Sequence, residues 1–190
     1  MARKSLVPVL MAAGALACGL APVAHASSPV PGRPGTANIV EIAAAVNAQT
    51  GEFDYLLAAA QCPYFEGAVV ALLTGRDKLT LFAPTDAAFE ALQRKLGVAN
   101  PAPGVTCTLP QATVFDILAY HVTEGRRFSN SVFSPRASKM IEMLNGQYVV
   151  TYPNLTIGDN AGKTVSPVAG LININASNGV IHVIDGVLEP

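Results

Sequence analysis

Two histidines, His121 and His182, and two cysteines, Cys62 and Cys107, are the side chains beyond residue 26 whose types could carry chemistry. A nucleophilic site needs a serine or cysteine set against a base that a third group orients. The sequence has no Gly-x-Ser-x-Gly elbow, and His182 sits within the apolar run Val180 to Ile184, where a histidine serves packing. Asp116, Glu124 and Asp185 are scattered around the two histidines without a metal-ligand spacing. The expectation is therefore no enzyme, no metal and no cofactor. Cys62 and Cys107 alone lack the ligands a metal requires, and they stand further apart than redox pairs do. In an oxidising compartment they read as a structural disulfide. Closing a loop of about 45 residues would stabilise the fold by up to roughly 4 kcal/mol on the chain-entropy account.

The compartment is read from the first stretch. Arg3 and Lys4 precede an apolar run from Leu6 to about Val23, and Ala24-His25-Ala26 supplies small residues around a cleavable bond. Residues 1–26 read as a signal peptide. Pro8, the many Gly and Ala residues and the polar Ser27-Ser28 argue against a membrane anchor. Cys18 raises lipid attachment as an alternative, although Ala15-Leu16-Ala17 fits that signal poorly. Export removes Arg3 and Lys4 and leaves ten basic against thirteen acidic residues, a net charge of −3 with no basic cluster. Such a chain cannot neutralise a row of phosphates, so nucleic acid is excluded as a partner.

The elements that would position these residues fit one domain: 190 residues, 51% hydrophobic and 13% charged, suffice for a single well-buried core. Residues 27–36, with Pro31-Gly32-Arg33-Pro34-Gly35, read as a flexible linker, and 37–190 as the folded domain. Leu79 to Ala83 has the length and side chains of a buried strand that Pro84 must end. Thr85 or Asp86 then caps a helix with a stripe of Ala88, Phe89, Leu92 and Leu96. Before that strand, Asn38 caps a helix carrying Ile39, Ile42, Ala43 and Val46. A stripe at Phe53, Leu56, Leu57 and Ala60 and another at Phe65, Val69, Leu72 and Leu73 follow.

Gly97 to Pro110 reads as a loop tethered by Cys107, and Val114 to Ala119 as a helix running into Tyr120-His121-Val122. Short β-favouring runs follow at Met140 to Leu144, Gln147 to Tyr152, Leu155 to Ile157, Leu171 to Asn175 and Val180 to Ile184, parted by Asn145-Gly146, Pro153-Asn154 and Asn178-Gly179. Asn178-Gly179 is expected to turn at positive φ, and Met140 and Met143 to pack in the core. The whole is α+β, with the Leu79 strand completed by the strand after Gly179.

These stretches resemble a known family. Leu81-Phe82-Ala83-Pro84-Thr85-Asp86-Ala87-Ala88-Phe89, Tyr120-His121-Val122 and Asn178-Gly179-Val180-Ile181-His182-Val183-Ile184-Asp185 are similar to the signature segments of fasciclin-like (FAS1) domains, in the family's order. Leu144-Asn145-Gly146-Gln147 fits its strand-turn step. The resemblance implies a wedge-shaped β-sandwich formed mainly by the C-terminal half, with short helices from the N-terminal half packed against it. It also implies a secreted, extracellular or periplasmic, non-catalytic protein of the cell-adhesion kind that binds a protein or polysaccharide at a cell surface or matrix.

By the same resemblance the binding residues are Tyr120, His121, Asn173 and Ile174. The last two stand where animal relatives carry an Asp-Ile pair linked to integrin binding, and the carboxylate is missing at Asn173. Tyr120 and His121 also admit a structural reading, as a helix end hydrogen-bonded to backbone. The alternative function is a carrier holding a lipid or other apolar small molecule in a cleft between helices and sheet.

Overall fold

The computed structural model describes residues 36–190, so the expected signal peptide at 1–26 and the linker as far as Gly35 lie outside the described residues. Asn38 opens helix α1 (Ile39–Thr50). Its side chain accepts from the Glu41 N–H at 3.0 Å while the Glu41 carboxylate accepts from the Asn38 N–H at 2.8 Å. That reciprocal cap satisfies two of the free donors of the first turn. α2 (Asp54–Ala60) has no cap of its own, and the Asp86 carboxylate supplies one by accepting from the Asp54 and Tyr55 N–H groups at 3.2 and 3.1 Å. The third apolar stripe divides into a 3-10 turn at Pro63–Phe65 and helix α3 (Ala68–Thr74), because Glu66 and Gly67 both turn through positive φ.

Strand β1 (Leu79–Pro84) is buried throughout, and Thr85 caps α4 (Asp86–Lys95), its hydroxyl accepting from the Ala88 N–H at 3.4 Å. Ala88, Phe89 and Leu92 form the expected buried stripe. Leu96 corrects it: the residue is the helix C-cap and lies exposed. Gln93 is buried in its place and holds the following loop, donating to Ala102 O at 3.1 Å and Thr106 Oγ1 at 3.0 Å and accepting from the Ala102 N–H at 3.0 Å. The loop winds into a 3-10 turn at Pro103–Thr108, and a Cys62–Cys107 disulfide ties it to the end of α2. Helix α5 (Gln111–Ala119) then leads through Tyr120 into the short strand β2 (Val122–Glu124).

A single turn of helix, α6 (Ser129–Val132), precedes the remaining strands: β3 (Lys139–Glu142), β4 (Tyr148–Thr151), β5 (Ile157–Gly158), β6 (Thr164–Val165), β7 (Ile174–Ala176) and β8 (Gly179–Ile184). They build two four-stranded sheets, ordered β2-β1-β8-β7 and β3-β4-β5-β6. β1 and β8 lie side by side and parallel, Leu79 opposite Gly179 through Pro84 opposite Ile184. Side chains alternate across that pair. Leu79, Leu81, Ala83, Ile181 and Val183 pack into the helical core, whereas Phe82 and Ile184 join Val149 and Ile157 between the sheets. The first sheet is therefore the wall between two apolar cores, one against helices and one against the second sheet.

Two expectations need correction here. Gly179 is not among the residues at positive φ. Its requirement is closeness, since a methyl at that position would overlap the Leu79 carbonyl oxygen and the Ile39 side chain. The Asn178 side chain, which accepts from the Ile39 N–H and donates to Leu73 O and Gly75 O, fixes the same junction. Of the two methionines only Met143 is buried. Met140 stands 69% exposed on the outer face of β3, because neighbours along a strand point to opposite faces.

Candidate functional site

The histidine after α5 is fixed by its neighbours. His121 Nδ1 lies 2.7 Å from Ile117 O, and the Leu188 N–H donates to Nε2 at 2.9 Å. A carbonyl can only accept and an amide can only donate, so the ring is neutral with its proton on Nδ1. Burial pushes its pKa down to about 4, with the nearby Lys163 charge acting in the same direction and the Ile117 bond opposing it. Tyr120 is 0% exposed and His121 1%. The Tyr120 hydroxyl donates to Tyr148 O at 2.8 Å and accepts from the Asn160 N–H at 3.2 Å, tying α5 to the second sheet. Burial also raises the phenol pKa. Both side chains are buried and hold elements together.

Asn173 and Ile174 enter β7, on the opposite edge of the same sheet. With strands about 4.8 Å apart, three strand steps put roughly 14 Å between the two pairs, so they do not form one site. Ile174 is buried against Ile181. Asn173 is half-buried in the left-handed region at φ 59°, which cuts the expected strand short and turns its side chain onto α6. There Oδ1 accepts from the Ser129 N–H at 2.7 Å and Nδ2 donates to Ser129 Oγ at 2.8 Å. The Asn173 N–H donates to His182 Nδ1 at 3.3 Å, and His182 Nε2 lies 2.7 Å from Arg127 O. His182 stacks on Phe82 with ring centroids 5.7 Å apart, and burial lowers its pKa. Thr80 completes the seam by donating to Gly125 O at 2.7 Å and accepting from the Arg127 N–H at 2.8 Å. Thr80, His182 and Asn173 together pin residues 125–129 across the sheet.

The last residue of that pinned segment, Ser129, lines a groove of about 670 Å³. Phe133, Pro135, Pro153, Leu155, Pro167 and Ile172 supply apolar walls, and Ser129, Asn130, Asn154 and Ser166 supply uncharged polar groups. Leu155 is exposed at its rim with φ 66°. A leucine in the left-handed region costs about 1 kcal/mol. The strain is held by a tight turn in which the Leu155 N–H donates to Tyr152 O at 3.0 Å and the Tyr152 N–H to Thr156 O at 2.9 Å. In the sequence Pro153-Asn154 parts two strand runs, and nothing there brings Pro135 or Pro167 beside it.

The family model of the fasciclin domain matches residues 64–190. The chain belongs to the fasciclin domain family. The match starts after α2, while α1 and α2 pack into the same helical core. In three dimensions the fasciclin domain is similar to the FAS1 domain pair from the insect cell adhesion molecule Fasciclin I, with a TM-score of 0.56 and 15% identity. The likeness covers 83% of this chain and 52% of that one, so the chain spans about half the length of the pair. At that identity it shows the fold, an α+β wedge-like sandwich. No curated protein matches the chain. Among the described residues no helix is long and apolar enough to cross a membrane, and no three His, Cys, Asp or Glu side chains gather as metal ligands.

Proposed function

We propose that this fasciclin domain is an exported, non-catalytic adhesion module that meets a protein or polysaccharide of the cell surface or matrix through the groove beside Asn173. The observation that carries the reading is the groove itself: 670 Å³ of uncharged wall with a strained, exposed leucine at its rim, on a scaffold pinned from beneath. A concave cleft with mostly apolar walls and a few polar groups is the usual form of a binding site, and a site on a rigid support loses little entropy on binding. Residues 1–26 act in this reading as the export signal and 37–190 as the adhesive domain. Tyr120 and His121 position the sheets, and Asn173 positions Ser129 at the groove. Ile174 anchors β7.

Adhesion of the purified protein to intact cells and to coated polysaccharide or matrix surfaces tests the reading. Leu155→Glu places a charge on an uncharged wall without touching the core and is expected to weaken retention at least tenfold. Retention equal to that of the unchanged protein, with the fold intact by circular dichroism, would refute the groove. The carrier reading is favoured by one observation, a separate apolar cavity on the helical side of the first sheet.

A further inference from the structure

That cavity, about 200 Å³, lies between α2, α3, α5 and the first sheet and opens to solvent on one side. Leu81 forms its floor, Ala60, Val69 and Leu118 stand around it, and Leu72 and Phe115, 40% and 49% exposed, mark the side that meets solvent. His121 is the one polar side chain on its lining, and both ring nitrogens are already engaged, with Ile117 O and the Leu188 N–H. The lining therefore offers no free side-chain donor or acceptor. A buried water needs two to four polar partners, and an apolar hole of roughly 150 Å³ stays dry and accepts benzene. A hole slightly larger, apolar and without charge excludes ions and sugars for the same reason.

We propose that this cavity binds a small uncharged hydrocarbon of about six to eight carbons, a single ring or a short alkyl segment, entering between Leu72 and Phe115. The site shares no lining residue with the groove. Occupancy there replaces missing dispersion contacts along the lining and consumes no hydrogen bond.

Benzene is the probe. Thermal unfolding of the protein in benzene at ten times the dissociation constant is expected to show Tm raised by about 3–6 °C, and the methyl resonances of Val69 and Leu118 are expected to shift. Ala60→Leu fills the cavity and is expected to abolish both effects while leaving adhesion unchanged. Leu155→Glu is expected to leave the benzene response intact, which separates this site from the groove. No Tm rise together with unmoved Val69 and Leu118 methyls overturns the proposal, as does an equal rise in Ala60→Leu. Should Ala60→Leu not fold, the methyl shifts of the unchanged protein decide: movement at Val69 and Leu118 supports the cavity, and movement elsewhere alone overturns it.

Discussion

Lowering the pH from 7 to 5 should weaken this domain through His121. In the fold the ring is neutral and its pKa is held near 4, whereas an unfolded histidine titrates near its ordinary 6.5. Between those values the unfolded chain binds a proton the folded one refuses, so stability is present above pH 6.5 and is lost as the pH falls toward 4. The shift is worth about 3 kcal/mol in full, of which about 2 kcal/mol disappears between pH 7 and pH 5. His182, also lowered by burial, adds loss of the same sign. Asp86 acts in the opposite direction, since burial raises its carboxyl and the folded state then holds the proton more tightly.

The assay is urea unfolding at pH 7, 6 and 5, comparing the unchanged protein with His121→Gln. The expected result is a fall in unfolding free energy of about 2 kcal/mol or more in the unchanged protein, with the His121 share absent from the variant. Equal stability at pH 7 and pH 5, or an undiminished fall in His121→Gln, would refute the assignment of a neutral buried ring.

Three further perturbations bear on the scaffold. Gly179→Ala sets a methyl against the Leu79 carbonyl in the central parallel pair and should cost about 3 kcal/mol, visible as a lowered urea midpoint; a neutral effect would mean the two strands lie further apart than described. Tyr120→Phe leaves Tyr148 O and the Asn160 N–H without their partner and should cost about 1–2 kcal/mol by the same measurement. Reduction of the Cys62–Cys107 bridge frees a 45-residue separation and should lower stability by about 4 kcal/mol on the chain-entropy account. Two free thiols in denatured, unreduced protein would contradict the bridge.

Much of the scaffold is legible in the sequence because its determinants are local. Pro84 ends β1, Thr85 and Asn38 cap the helices they precede, and the nearly continuous apolar character of Val180 to Ile184 places that strand in the middle of a sheet. Where reading fails, the cause is non-local. β2 and β6 are two or three residues long, too short for a period to show, and α6 is a single turn held by Asn173 from more than forty positions away. Asn178-Gly179 carries the composition of a tight turn, yet the glycine answers to the backbone of Leu79 lying against it. Leu96 continues a helical period that the helix itself does not complete. Of the groove only the break at Pro153-Asn154 is legible; the fold alone brings Pro135 and Pro167 to it.

Backbone amide exchange of the domain, free and then bound to a coated cell-surface or matrix preparation that retains it, tests most directly the claim that the groove beside Asn173 is the adhesive surface. Slowed exchange is expected at residues 129–133, 154–157 and 168–173, with 62–75 and 111–119 unchanged. Protection confined to the helical side, with the groove amides exchanging as in the free protein, would contradict it.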